Sequence, residues 1–252
     1  MTIPEMNEKR KAGIFKVDIE TPMGPIKSSV RVETGPMRLA ELAPSAFELT
    51  GILGERAAEK ERQKGRTISC RPKCGTCCRQ MVPISAPEAF FIYDLLQALK
   101  AKIRRTFMER FRWVVGLLGK DEELVELLSG SYTSEDAYLM ARPYFFRQIP
   151  CPFLMGESCG IYPYRPAACR EYNVTTPPEF CKDPFSGKVE RVPMPTPLSL
   201  PLAKTASRLT DLDIRLIPLS IVPDWVEKHM NIYRRTWPGL DLFSQFIENI
   251  GS

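Results

Sequence analysis

All eight cysteines of this 252-residue chain lie between Cys70 and Cys181, with none before and none after. The first group is dense: Cys70-Arg-Pro-Lys-Cys74-Gly-Thr-Cys77-Cys78. The second is spread over Cys151-Pro-Phe-Leu, Cys159-Gly-Ile-Tyr-Pro-Tyr-Arg-Pro and Cys169-Arg-Glu-Tyr, and Cys181 follows. Thiols used only as small core hydrophobes would be scattered through the apolar segments. Clustered thiols at short spacings bind metal or form disulfides. Whatever fold the chain adopts must bring these two stretches to some common purpose.

Composition separates those two uses. Hydrophobic residues make up 44% and charged residues 26% of the chain, an ordinary globular balance, and 252 residues can bury a genuine core. Disulfide scaffolds are shorter and richer in cysteine. The N-terminal MTIPEMNEKRKAG carries charges where a signal peptide needs an apolar run, and no apolar stretch is long enough to span a bilayer. The expectation is a cytoplasmic protein away from membranes, whose thiols stay reduced and serve metal. Adjacent Cys77 and Cys78 agree with this, since a disulfide between neighbours is strained. The 35 basic and 30 acidic side chains leave a net charge of +5, too weak and dispersed for a nucleic-acid binder. Lys100, Lys102, Arg104, Arg105, Arg110 and Arg112 read as a solvated helix face.

Hydrophobic spacing gives the scaffold. Phe15, Val17 and Ile19, then Ile26, Val30 and Val32, alternate with polar residues across a turn at 21–24, predicting a β-hairpin over 14–34. Residues 38–65 read as helical, with Pro44 and Gly51 keeping the helices short. Ser85-Ala-Pro-Glu88 is a capping box. From it Ile92, Leu95, Leu96, Leu99, Ile103, Phe107 and Phe111 recur at helical spacing, predicting one long helix to about Leu118. Asp121 caps a short helix through Leu128, and Thr133-Ser-Glu-Asp136 opens another that ends near Ile149. From Cys151 to about Pro201 the chain is loop-like and rich in its 23 prolines, a length that holds its shape only if something clamps it. Two amphipathic helices, 223–235 and 239–250, close the chain. The predicted fold is mainly α with a small N-terminal β-hairpin (α+β) and an irregular, metal-stapled cysteine-rich centre. Its parts are a hairpin and short helices over 1–65, a metal-binding domain over 66–185 and a helical extension over 186–252, packed as one unit.

A tetrahedral thiolate site needs about four converging sulfurs, and short Cys turns containing Gly supply the chain reversal. Pro72 and Gly75 fit such a turn. The candidate ligands are Cys70, Cys74, Cys77, Cys78, Cys151, Cys159, Cys169 and Cys181. The only histidine, His229, lies in a C-terminal helix as a surface or cap residue, so the site is all-thiolate. Soft thiolates select zinc, iron–sulfur or copper(I). Four cysteines satisfy one zinc or one 4Fe–4S cluster, so eight serve two centres or one centre plus spares. Extended neighbours point their side chains to opposite sides, so Cys77 and Cys78 serve different centres, or one is a nucleophile or simply buried. The order Cys70-x3-Cys74-x2-Cys77 also matches the cluster motif of radical S-adenosylmethionine enzymes, but no alternating strands and helices follow and Thr76 replaces the usual aromatic residue.

The sequence resembles the YkgJ-like, or CxxCxxCC, family of cysteine-cluster proteins described as zinc- or iron-chelating. The resemblance is carried by Cys74 to Cys78, Cys151 to Leu154, and Cys159, Ile161, Tyr162, Arg165, Pro166, Cys169, Arg170 and Tyr172. The first gap is three residues here, where the family name implies two, and Cys181 falls outside the core pattern. Within the family, flagellin lysine N-methylases imply an iron–sulfur cluster and methylation of protein lysines with S-adenosylmethionine; the chain lacks the Gly-x-Gly-x-Gly loop of ordinary methyltransferases. Arg165 and Arg170 are candidate cofactor contacts, as donors to cluster sulfides or to the carboxylate of S-adenosylmethionine, and equally candidates to brace the loop's carbonyls. Tyr162 and Tyr172 read as packing residues with hydroxyls at the surface.

Three functions follow: a protein holding an iron–sulfur cluster for chemistry on a redox partner or protein substrate, a lysine N-methyltransferase, and a zinc-stapled interaction module. The adjacent extra thiol in the first group exceeds what one structural zinc needs, which favours iron–sulfur. No candidate general base is identifiable: His229, the sole histidine, is remote, and apart from Glu171 no carboxylate pair stands beside the cysteines.

Overall fold

The computed structural model describes residues 12–21, 24–129 and 134–250. The N-terminal hairpin forms as its alternation predicts: β1 (Ala12–Ile19) pairs antiparallel with β2 (Ile26–Glu33), Phe15 opposite Val30 and Ile19 opposite Ile26. Val17, Ile19, Ile26, Val30 and Val32 turn to the core while their polar neighbours face out. Turn residues 22 and 23 lie outside the described residues. After a two-residue strand β3 (Pro36–Met37), α1 runs unbroken over Ala43–Gln63. The expected limit on its length fails for two reasons. Pro44 sits in the first turn, where its missing N–H costs nothing, and Gly51 is exposed in the interior, where one glycine is tolerated.

The predicted long helix is two. Beyond β4 (Pro83–Ile84), α2 (Ala86–Ala98) begins at the Ser85–Glu88 capping box, and α3 (Ala101–Leu118) follows. Leu99 and Lys100 between them are extended, with ψ of 148° and 139°. The apolar spacing runs through this corner without a Gly or Pro, and Leu99 itself stays buried, so periodicity alone does not reveal the break. Asp121 does cap, accepting from the Glu123 N–H, but onto turns ending in a 3-10 segment at Ser129. Helix α4 spans Ser134–Phe146; the expected cap residue Thr133 lies outside the described residues.

The 151–201 stretch is largely irregular but holds three pieces of order. A hairpin joins β5 (Leu154–Met155) to β6 (Ser158–Cys159), a short helix α5 covers Ala167–Glu171, and α6 (Ser199–Leu209) begins at its end. Helix α6 was not expected; it buries Leu202, Ala203 and Ala206 against α2 and the last helix. Strand β7 (Ile217–Pro218) pairs with β4, so the exit from the first cysteine group is tied to the C-terminal part. The predicted helix 223–235 divides into α7 (Val222–Lys228) and α8 (Met230–Tyr233) at His229. The His229 ring stacks on Trp225 at 4.1 Å and its Nδ1 lies 2.7 Å from the Trp225 carbonyl, the capping role expected of it. Strand β8 (Trp237–Pro238) pairs with β3, and α9 (Gly239–Glu248) packs on β2, with Phe15 edge-on to Phe243. One apolar cluster runs through the hairpin, α1–α3 and the C-terminal helices. No helix among the described residues is long and apolar enough to cross a membrane.

Candidate metal centre

The fold delivers the two cysteine stretches to one place. In the first, Cys74 N–H donates to the Arg71 carbonyl at 3.3 Å, closing a turn in which Lys73 takes the left-handed region at φ 69°. Thr76–Arg79 then forms a 3-10 turn carrying Cys77 and Cys78. The second stretch docks directly on it. Cys151 N–H donates to the Cys78 carbonyl at 2.7 Å, and Arg79 forks onto Glu157 at 3.0 and 2.6 Å. Gly75 meets the β5–β6 turn so closely that a Cβ there would lie 2.6 Å from the Glu157 carbonyl oxygen. That turn is itself tight, with φ of 53° at Gly156 and 56° at Glu157, the double left-handed geometry of a two-residue hairpin loop.

Aromatic packing fixes the depth of the second stretch. Phe153, two residues after Cys151, is fully buried between Phe107 and Phe111 of α3 at ring distances of 5.0 and 5.3 Å. Arg110 of the same helix donates to the Leu154 carbonyl. Cys169 arrives differently, on the single turn of α5. Glu88, buried at the start of α2, accepts from Ser85 N–H at 2.8 Å and Ser85 Oγ at 2.7 Å, as the capping box predicts. Its other oxygen accepts the Ala167 N–H at 2.8 Å. One carboxylate thus caps α2 and anchors the first turn of the helix that bears Cys169. Cys181, on the 3-10 turn Pro178–Lys182, is buried against the Thr76–Arg79 turn. Ser69 N–H reaches the Val174 carbonyl at 2.9 Å, and the Cys70 thiol faces the Tyr172 carbonyl at 3.8 Å.

All eight cysteines are free thiols, and their charges interact. Cys78 donates its S–H to Cys77, which holds the Cys77 proton affinity below that of an ordinary thiol and raises that of Cys78. Burial raises the thiols of Cys70, Cys159 and Cys169, with Cys151 pushed up to about 12 and Cys181 to about 11. Added to burial at all five is the negative charge of Cys77. Cys77 is therefore the hub. Cys151, Cys159 and Cys169 act on one another around it, and Cys181 feels Cys70 and Cys74 on the other side.

The two arginines have different places. Arg165 lies 3.7 Å over the Tyr162 ring, and its charge lowers the proton affinity of Cys77, Cys159, Cys169 and Cys70. Arg170 braces: its guanidinium donates to the Arg165 and Pro163 carbonyls at 2.7 and 2.5 Å and lies over Phe47. Tyr172 departs from expectation, for its hydroxyl is buried, not at the surface. Glu171 accepts the Leu198 N–H at 2.7 Å, and burial pushes its carboxyl up to about 7. Sequence reasoning missed the tethers Glu88–Ala167, Arg79–Glu157 and Arg110–Leu154. Only Glu88 carried a signal, and that signal spoke of its own helix.

The donor set suits a soft metal: free thiols, with the only histidine engaged elsewhere. Yet among the described residues no three Cys, His, Asp or Glu side chains already stand as an ion's ligands. The two docked stretches bring the thiols to one region without a ready-made ligand set. No curated protein and no solved structure matches the chain. A family model, CxxCxxCC, does match it over residues 69–188, and its description proposes a zinc- or iron-chelating domain. That span contains all eight cysteines, Arg165 and Arg170, and over it the chain is similar to the CxxCxxCC family of cysteine-cluster domains.

Proposed function

We propose that residues 66–185 hold an all-cysteine iron–sulfur cluster that supports redox or cluster-assisted chemistry on a partner protein, with 1–65 and 186–252 packed around them. The observation that carries this reading is the docking of the Cys151–Cys159 hairpin onto the Cys70–Cys78 turn, with Cys77 acting electrostatically on thiols of both stretches. The first centre draws on Cys77, Cys151, Cys159 and Cys169, whose charges bear on one another. Cys70, Cys74 and Cys181 form a second set beside it. Thiolate ligation supplies low-potential electron transfer when iron and sulfide are bound. The chain's own part is to shield that centre, to set Arg165 against its negative charge, and to keep Arg170 on the loop. A reducing compartment, the cytoplasm, suits thiols in this state.

Anaerobic purification followed by metal and acid-labile sulfide analysis tests this. The reading expects a brown protein with iron and sulfide that are lost in Cys169→Ala and kept in Cys181→Ala. A colourless protein with stoichiometric zinc would replace it with the structural module. Methyl transfer to a protein lysine is the enzymatic form of the same reading. It requires S-adenosylmethionine binding that disappears in Cys77→Ala or Cys169→Ala.

A further inference from the structure

The Cys77 and Cys169 side chains form part of the wall of a cleft of about 610 Å³. Its other walls come from segments remote in sequence: Met81, Val82 and Pro83 after the first cysteine group, Phe185, Met194 and Leu216 from the later loops. A mostly apolar cleft of this size with a few polar groups is the usual form of a small-molecule site. Four polar side chains outside the thiols line it, Gln80, Glu171, Tyr172 and Arg191.

Their hydrogen-bonding state narrows the ligand. Glu171, the acidic member, is held by the Leu198 N–H at 2.7 Å. The remaining three offer donors. Gln80 Nε2 and the Tyr172 hydroxyl are both buried; the hydroxyl interacts with Gln80 and Arg191, so the three groups converge, but neither Gln80 Nε2 nor the hydroxyl completes a well-formed hydrogen bond. The Arg191 guanidinium lies 4.7 Å over the Tyr172 ring. Buried donors left short of a full hydrogen bond are unfavourable, and their convergence in one cleft wall marks a place for an acceptor. The cation beside them favours an acceptor with negative charge. Phe185 is 39% exposed and meets Phe145 and Phe146 edge-on or tilted at 5.8 and 6.2 Å, so this side of the cleft is bordered by an aromatic surface.

We propose that the cleft binds a small amphipathic carboxylate, its anionic end received by Gln80, Tyr172 and Arg191 and its apolar body along Met81, Val82 and Met194, beside Cys77 and Cys169. Binding as such needs no metal. Only its use, as a substrate or ligand presented to a metal centre, rests on the function proposed above.

The test is calorimetric titration of the anaerobically isolated full chain with three probes of one shape: naphthalene carboxylate, its neutral carboxamide and naphthylmethylammonium. The carboxylate should bind one per chain, the carboxamide about tenfold more weakly and the ammonium not measurably. Arg191→Gln, a change at an exposed side chain, should lower carboxylate affinity about tenfold and leave the carboxamide unchanged. Val82→Trp, which fills the cleft, should abolish carboxylate binding while metal content and circular dichroism stay as in the wild type. Tightest binding by the ammonium, no binding by any probe, or carboxylate binding indifferent to Arg191→Gln would overturn the proposal. Carboxylate binding to a chain without metal would sink the metal reading and leave the cleft standing; metal without carboxylate binding would do the reverse.

Discussion

Replacing Gly75 by alanine probes the junction of the two cysteine stretches with a single methyl group. Gly75 has φ −108° and ψ 9°, a conformation alanine adopts without strain, so the effect is purely one of space. The new Cβ would lie 2.6 and 2.7 Å from the carbonyl oxygen and carbon of Glu157 and 2.7 Å from Leu154 Cδ1. Two of these neighbours are backbone atoms of a tight turn held by Arg79, so relief means moving the β5–β6 hairpin and with it Cys159. Overpacking a close-fitted site costs about 1–3 kcal/mol. The rigidity of the neighbours puts this one at the upper end, about 2–3 kcal/mol, or roughly 30- to 140-fold in the folded-to-unfolded ratio. Urea denaturation followed by circular dichroism, with metal content on the same samples, reads both effects. Gly51→Ala is the control, since nothing lies within 4 Å of its Cβ position in the middle of α1; it should gain about 0.4–1 kcal/mol. A Gly75→Ala protein as stable and as metal-rich as the wild type would refute the close docking of the two stretches.

Three further outcomes are expected. Phe153→Ala, which empties the slot between Phe107 and Phe111, should cost about 3–5 kcal/mol in urea denaturation and lower metal retention with it. Glu88 has a carboxyl raised by burial, so the folded state keeps its proton to higher pH than the unfolded chain does. Its contribution is present at low pH and lost as pH rises through the folded value. Stability measured against pH should therefore carry a downward component above the ordinary carboxylate range that Glu88→Gln removes, and an unchanged profile would count against the buried tether. The third concerns protons. With the thiol of Cys151 pushed up to about 12, metal must displace protons at neutral pH, so binding releases them and acidification competes with metal. Metal binding that releases no protons at neutral pH would contradict ligation by these thiols.

The sequence showed what was local. Alternation in β1 and β2 and the capping box at Ser85 rest on neighbours a few residues apart, and both stand in the fold as read. What it concealed depends on tertiary context. The corner at Leu99–Lys100 interrupts no apolar spacing, because Leu99 is buried on either side of the bend. Helix α6 opens inside a proline-rich stretch whose irregularity masked its apolar face. Within the site the thiols announced themselves by spacing. The groups that aim them did not: the Glu88 carboxylate reaches Ala167 across 79 positions, and Arg110 reaches Leu154 across 44. No window of local sequence relates such pairs.

The proposal that sulfurs from both stretches bind one metal centre is open to X-ray absorption at the metal edge of the anaerobically isolated protein. It predicts a first shell of sulfur alone, at about 2.3 Å if the metal is zinc, with an iron neighbour if it is a cluster. The sulfur count should fall in Cys77→Ala and in Cys159→Ala alike. A shell dominated by nitrogen or oxygen, or one that survives both substitutions, would contradict it.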